Sequence, residues 1–448
     1  MARQTERELP YVNHRRGLTT LSPLGVFFLV YVVSSLVAGD FYKMPVAIAF
    51  LAAAGWAFMV CKPKSFVQRV ERFSAGAAHS NIMMMIWIFI LAGAFASGAK
   101  HIGAVDAMVQ LTLNLLPANM LLPGVFLAAC LISLSIGTSV GTIVALMPVA
   151  AGLSADAGCH AGMMAGAVVG GAFFGDNLSF ISDTTIAATR TQGCAMKDKF
   201  RANLRIVLPA AIGILLLYCM PRQLHPPAHS IEHTNYATVI PYLLVLISAI
   251  CGMNVIKVLF LGIVATGIEV LCTPGATLTN WAGAMGNGIT GMGELIIVTL
   301  LAAGMLELIR YNGGLSYIIT HLSRHIRGRQ SAELCIGLMA SLANLCTANN
   351  TVAIVAVGNI ARRVAKKHNI PPARTAGLLD TFSCITQAVI PYGAQLLAAA
   401  SLAGLTALDI IPYLYYPFAM GACALLYILR APSNGNIAET AQKDYPKN

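Results

Sequence analysis

Apolar residues along this chain come in long runs separated by short polar stretches. A helix needs about 20 apolar residues to cross a bilayer. Runs of that order lie at 22–39, 45–61, 82–99, 204–221, 237–252, 255–272, 294–309 and 410–429. Four more, at 121–154, 160–193, 331–365 and 375–405, are too long for one crossing, and each carries glycine and polar residues at its middle. In each half the order is three simple segments, two interrupted ones and one simple one, which predicts an internal duplication. Gly175–Asp183 aligns with Leu379–Gln387 at an offset of 204, and Thr142 with Thr351 at an offset of 209. The first interrupted run of each half predicts a hairpin, the second one broken helix. A hairpin adds an even number of crossings and a broken helix one, so the halves are expected to be inverted. The expected fold is an all-α polytopic membrane protein of two inverted repeats, each with a hairpin and a broken helix. A cytoplasmic segment (1–21) precedes the first repeat (22–221). An extracytoplasmic linker (222–236), the second repeat (237–429) and a cytoplasmic tail (430–448) follow.

Composition agrees with that pattern. Of 448 residues, 57% are apolar and 10% charged, against roughly 45–50% and about 25% in ordinary globular chains. So few charges cannot cover a soluble surface, and disordered, collagenous and nucleic-acid-coating chains are excluded too. The net charge of +11 reports orientation. With the N-terminus in the cytoplasm, only Lys43, Lys100 and Arg222 of the 29 basic residues fall outside, leaving 26 inside, Lys199 among them. The expected location is the cell (inner) membrane, multi-pass, both termini cytoplasmic, with no signal peptide and no nucleic-acid partner. The 121–154 hairpin then enters from outside and the 331–365 hairpin from the cytoplasm, their tips meeting near mid-membrane. The 11 cysteines form no C-x-x-C pair and read as small buried hydrophobes. Whether the chain acts alone or as a homodimer is open.

The first tip, Ser133–Thr142, holds five hydroxyl residues in ten, including Thr138, Ser139 and Thr142. Glycines there permit unwinding, and hydroxyls with freed carbonyls suit hard cations such as sodium. Gly137–Gly141 also fits G-x-S-x-G, so a membrane-embedded hydrolase using Ser139 is one alternative; it requires a strand–turn–helix elbow with Asp and His partners, and the nearest downstream histidine is His160. In the first broken helix Asp176 and Asp183 are seven residues apart, two turns and one face if helical. Carboxylates at membrane depth mark ion or proton paths. At the second tip Asn349, Asn350 and Thr351 could bind a cation or a solute carboxylate. Asp380, Ser383, Thr386 and Gln387 mirror the first broken helix, with Gln387 in Asp183's place. Gly162, Gly166 and Gly170 predict close helix packing. Glu294 and Glu307 read as span ends and Glu269 as a weak ion-path candidate. His225, His229 and His233 read as a solvated loop, and Met83–Met85 as lipid-facing or packing residues. No Gly-Lys pair and no H-E-x-x-H occur. That removes a P-loop and zincin chemistry and leaves secondary transport, with no cofactor and no metal beyond sodium.

Gly171–Thr185, reading G-A-F-F-G-D-N-L-S-F-I-S-D-T-T, resembles the signature of the NhaC-type sodium/proton antiporters. Phe180 stands where that family usually has proline, and Val140 where tryptophan is common at the tip. The resemblance implies an ion-transporter-type fold, sodium ions and protons as partners, and an ion path lined by Asp176, Ser179, Ser182, Asp183 and Thr184. Its relatives include sodium-coupled exchangers of organic acids such as malate and lactate. Sodium/proton antiport is therefore the expected function, with sodium-coupled movement of a small organic acid or amino acid as its rival. Asp183, at the helix break beside Ser182 and Thr184, is expected to be the central titrating group.

Overall fold

The computed structural model describes residues 14–38, 45–62, 65–220, 236–273, 276–323, 326 and 328–430. The histidines at 225, 229 and 233, and most of the expected linker and tail, lie outside these residues. Among the described residues the secondary structure is helical, with no strand. Eight helical stretches are long and apolar enough to cross a membrane, or nine if the bent pair Ala407–Tyr413 and Tyr415–Leu429 is one span.

Both predicted hairpins and both broken helices are present. The first hairpin is Ala118–Ile136 and Ser139–Asp156. Gly137, at φ 75°, makes its turn in a left-handed conformation that glycine tolerates without strain. The first broken helix is Ala161–Leu178 and Asp183–Gln192. The second hairpin is Arg329–Leu345 and Asn350–Lys367, and the second broken helix Pro372–Val389 and Ala394–Ala403.

One offset relates these pieces. The starts Ser139 and Asn350, Ala161 and Pro372, and Asp183 and Ala394 each differ by 211, and the helices they begin match at 18, 18 and 10 residues. The N-caps Thr138 and Asn349 share nearly the same backbone φ, −147° and −149°. Ser133 Oγ donates to the Ala172 carbonyl at 2.5 Å, and its counterpart Asn344 Nδ2 donates to the Ser383 carbonyl at 2.7 Å. The sequence-based offsets of 204 and 209 are thus corrected. An error of seven residues is two helical turns, so it keeps every side chain on its face and shifts it about 10 Å along the axis. The counterpart of Asp176 is Gln387, that of Asp183 is Ala394, and that of Asp380 is Val169.

The pieces interlock across the repeats. Each hairpin's first arm packs on the first half of its own broken helix, while its second arm packs on the second half of the other repeat's broken helix. Gly162 and Gly166 lie against the backbone of Asp409 and Tyr413, and Gly170 against Tyr416, as close packing by small residues requires. Gly175 faces the Ser133–Leu134 backbone with no room for a methyl group.

Helices missed by the hydropathy pattern are the polar or short ones. Phe66–Ala77 carries Arg69, Glu71 and Arg72. Ala104–Leu115 and Gly314–Ser323 are short connectors. Leu278–Gly291 is rich in glycine and asparagine and runs on into Gly293–Tyr311. Glu333, fully buried, was also missed; it accepts from Arg329 at 3.2 Å and from Arg374 at 2.7 Å. Arg374 also donates to the Tyr427 carbonyl, so this cluster ties the second hairpin to the last helix.

Gly175→Ala is expected to destabilise the protein by about 1–3 kcal/mol, because the methyl overpacks a backbone contact. Gly213→Ala, in an open stretch of the helix Met196–Tyr218, is expected to be neutral or stabilising by roughly 0.5–1 kcal/mol. Thermal unfolding of the two purified variants in detergent checks this; equal melting temperatures would refute the tight hairpin contact.

Candidate functional site

The two hairpin tips and the ends of both broken helices enclose one polar cavity of about 90 Å³, room for a few waters. It is lined by Thr138 and Ser139 of the first tip, Asn349, Asn350 and Thr351 of the second, and Asp176, Ser182, Asp183, Thr184 and Gln387 from the broken helices. Ten of the expected site residues therefore meet. Asn81, Met84 and Met85 also line it, so two of the methionines read as lipid-facing or packing residues border the site.

Asp176 is the buried centre of this arrangement, 5% exposed. Ser139 Oγ donates to its Oδ2 at 2.9 Å and Ser182 Oγ to its Oδ1 at 2.6 Å. Thr184 Oγ1 lies 2.9 Å from Ser182 Oγ. The sequence supplies this geometry locally: the helix stops at Leu178, and the non-helical residues Ser179–Ser182, bent at Phe180 and Ile181, swing Ser182 back over the carboxylate. The break also means that Asp176 and Asp183 do not share a helix face. Asp183 is the first residue of the second half and is exposed at the cavity. Asp183, expected as the central titrating group, is thus the exposed carboxylate of the two, and Asp176 the buried one.

A chain of side-chain amides links this carboxylate to the other repeat. Gln387 Nε2 donates to the Ala348 carbonyl at 3.1 Å and to Gln395 Oε1 at 2.9 Å. Gln395 Nε2 then donates to Ser139 Oγ at 3.1 Å. An amide nitrogen only donates, so Ser139 accepts from Gln395 and sends its own proton to Asp176. Gln395 was not singled out in the sequence, because a lone glutamine in an apolar run signals nothing until the 211 offset sets it opposite Thr184.

Five expected residues lie elsewhere. Ser179 Oγ bonds the Leu134 carbonyl and pins the hairpin. Thr142 and Thr386 bond carbonyls of their own helices, the local alternative open to any buried hydroxyl. Ser383 bonds the Asp380 carbonyl. Asp380, fully buried, forms an ion pair with Lys199. Lys199, expected in a cytoplasmic flank, is the residue the sequence concealed most completely. It also donates to the Asn177 carbonyl and to Thr185 Oγ1 at 2.7 Å.

Ser139 is not placed as a hydrolase nucleophile: its partners are a carboxylate and an amide, and His160 sits exposed against Tyr413 Oη at 3.2 Å. Glu307 pairs with Arg310 near the end of the stretch Leu278–Tyr311, whereas Glu294, expected at a span end, is exposed near the middle of that stretch. All 11 cysteines are free; Cys61, Cys130, Cys335, Cys346 and Cys384 are buried, whereas Cys219, Cys251 and Cys272 are exposed.

Membrane-length helices built around a polar cavity between broken helices have the construction of a membrane transporter. The sequence pattern of the Na+/H+ antiporter family matches residues 16–220 and 230–431. The chain belongs to that family. It is 25% identical over 375 residues to the Na(+)/H(+) antiporter NhaC of Bacillus subtilis, covering 75% of this chain and 80% of that one. It is 24% identical over 374 residues to an uncharacterized Na(+)/H(+) antiporter of Haemophilus influenzae, covering 74% and 78%. Among solved structures, the YdaH transporter of Alcanivorax borkumensis aligns over 93% of this chain and 98% of its own, at 12% identity and a TM-score of 0.40.

Gln395→Leu removes one neutral hydrogen bond from the Ser139–Asp176 pair, worth about 0.5–1.5 kcal/mol. Any sodium ion held beside Asp176 is expected to bind about 2- to 12-fold more weakly, read from the sodium concentration that half-stabilises the purified protein. An unchanged midpoint would remove Gln395 from the site.

Proposed function

We propose that the chain is a secondary active sodium/proton antiporter in which both ions compete for Asp176. The observation that carries this reading is a buried carboxylate with two hydroxyl donors, in a cavity lined by both tips. Burying a bare charge is costly, so Asp176 is satisfied by a proton or by a cation. Binding one excludes the other, and that exclusion suffices to couple the fluxes. Ser139, Ser182, Thr184 and Thr138 line the cavity with Asp176, and hard cations favour such oxygen donors. Asp183 at the exposed edge acts as the relay between the cavity and solvent. The amide wall of Asn349, Asn350, Gln387 and Gln395 supports a second reading, in which a small organic acid travels with sodium.

Liposomes loaded with a pH-sensitive dye and given a sodium gradient test both. Asp176→Asn is expected to abolish sodium-driven proton flux, while Asp183→Asn keeps it with a several-fold higher KM for sodium. Near-normal flux in Asp176→Asn would overturn the proposal. Flux that appears only when an organic acid is supplied would favour the second reading.

The same reading takes the halves as inverted repeats with both termini in the cytoplasm, on the basic-residue asymmetry. A cysteine placed in 312–330 is then expected to react with an impermeant thiol reagent from the cytoplasm and one in 222–236 from outside, in a variant lacking the native cysteines. The reverse pattern would refute this orientation.

A further inference from the structure

Lys199 and Asp380 are both buried, at 1% and 0% exposure, and join the two repeats. The antiport reading assigns them nothing. Around Lys199 Nζ stand one carboxylate oxygen of Asp380, the Asn177 carbonyl and the Thr185 hydroxyl. Carboxylate, carbonyl and hydroxyl are the oxygen donors that hard cations select. The Asn177 carbonyl belongs to the last turn of Ala161–Leu178, where the helix dipole presents its negative end. The ammonium thus sits in the surroundings of a cation site, tethered to its own helix.

The repeat offset sets apolar residues at the positions equivalent to this pair. The helices beginning at Met196 and Ala407 are also 211 apart, so the counterparts of Lys199 and Asp380 are Ile410 and Val169, both fully buried. The positions equivalent to this pair are thus apolar, and buried ion pairs are in general poor stabilisers beside apolar replacements. Asp380 is also connected to the transport cavity: Cys384 Sγ donates to its Oδ1 at 3.7 Å, and Asn350, which lines the cavity, donates to that sulfur at 3.8 Å.

We propose that Lys199 is a built-in cation occupying a second monovalent-cation site at Asp380, so that only the site at Asp176 exchanges its ion. Removing the ammonium while keeping Asp380 opens the second site to sodium. This rests on Asp176 as the exchanging group, and the test separates the two.

The test counts radioactive sodium bound per chain at saturation, in purified full-length protein. The parent is expected to bind one ion, Asp176→Asn none, Lys199→Gln two, and Asp176→Asn with Lys199→Gln one. Lys199→Gln with Asp380→Asn returns to one. If the parent and Asp176→Asn bind alike, the Asp176 reading fails; the gain on adding Lys199→Gln to Asp176→Asn still decides the Asp380 site. No gain in either background overturns the proposal. Should Lys199→Gln unfold, recovery in sodium but not in choline supports a vacated cation site. Unfolding in both, with the Lys199→Gln/Asp380→Asn pair folded, overturns it.

Discussion

Everything at the centre of this protein follows from one carboxylate held where water is scarce. Asp176 is buried among apolar helices, and a charge there is tolerated only with dedicated partners. Ser139 and Ser182 supply them from two different elements, one at a hairpin tip and one across a helix break. Neither partner would reach Asp176 in an uninterrupted helix pair. The unwound residues at 179–182 and the turn at Gly137 are therefore requirements of the carboxylate as much as features of the fold. Irregular backbone at membrane depth is acceptable where it lines a polar cavity, and this one does.

The repeats bring that irregular backbone together twice and then differentiate it. Because each hairpin leans on the other repeat's broken helix, both tips end at one cavity. At the shared offset the carboxylate Asp176 corresponds to the amide Gln387, and the hydroxyl Ser139 to the amide Asn350. The first repeat contributes the carboxylates of the cavity, and the second contributes no charge to it. The bridge Gln387–Gln395–Ser139–Asp176 lets the second repeat orient the first repeat's serine without adding charge to the cavity.

Hairpins, broken helices and most cavity residues were legible in the sequence, since clustered glycine and polar residues within an apolar run are costly at membrane depth unless the backbone breaks there around a polar space. The repeat register was not. Asp176 and Asp380 look like equivalents because both stand three residues before a serine, and a two-turn slip preserves helix faces. Lys199 was hidden by a different rule: a basic residue near a span end reads as a topology signal, and only tertiary contact shows the ammonium turned inward to Asp380. Glu333 was hidden likewise among its flanking arginines. Phe66–Ala77 failed the hydropathy pattern because it is charged on one side.

The break also places the two acidic residues of the signature in different surroundings. Asp183 stands in the first turn of Asp183–Gln192, where the unpaired amide groups carry a partial positive charge that suits an anion. Asp176 stands in the last turn of Ala161–Leu178, where the unpaired carbonyls carry partial negative charge and attract a cation. Two identical side chains seven residues apart are thereby placed in opposite fields. The buried one sits at a helix end that opposes the anion its hydroxyl donors favour. A single uninterrupted helix would have put both carboxylates on one face in similar surroundings, and that distinction would be lost.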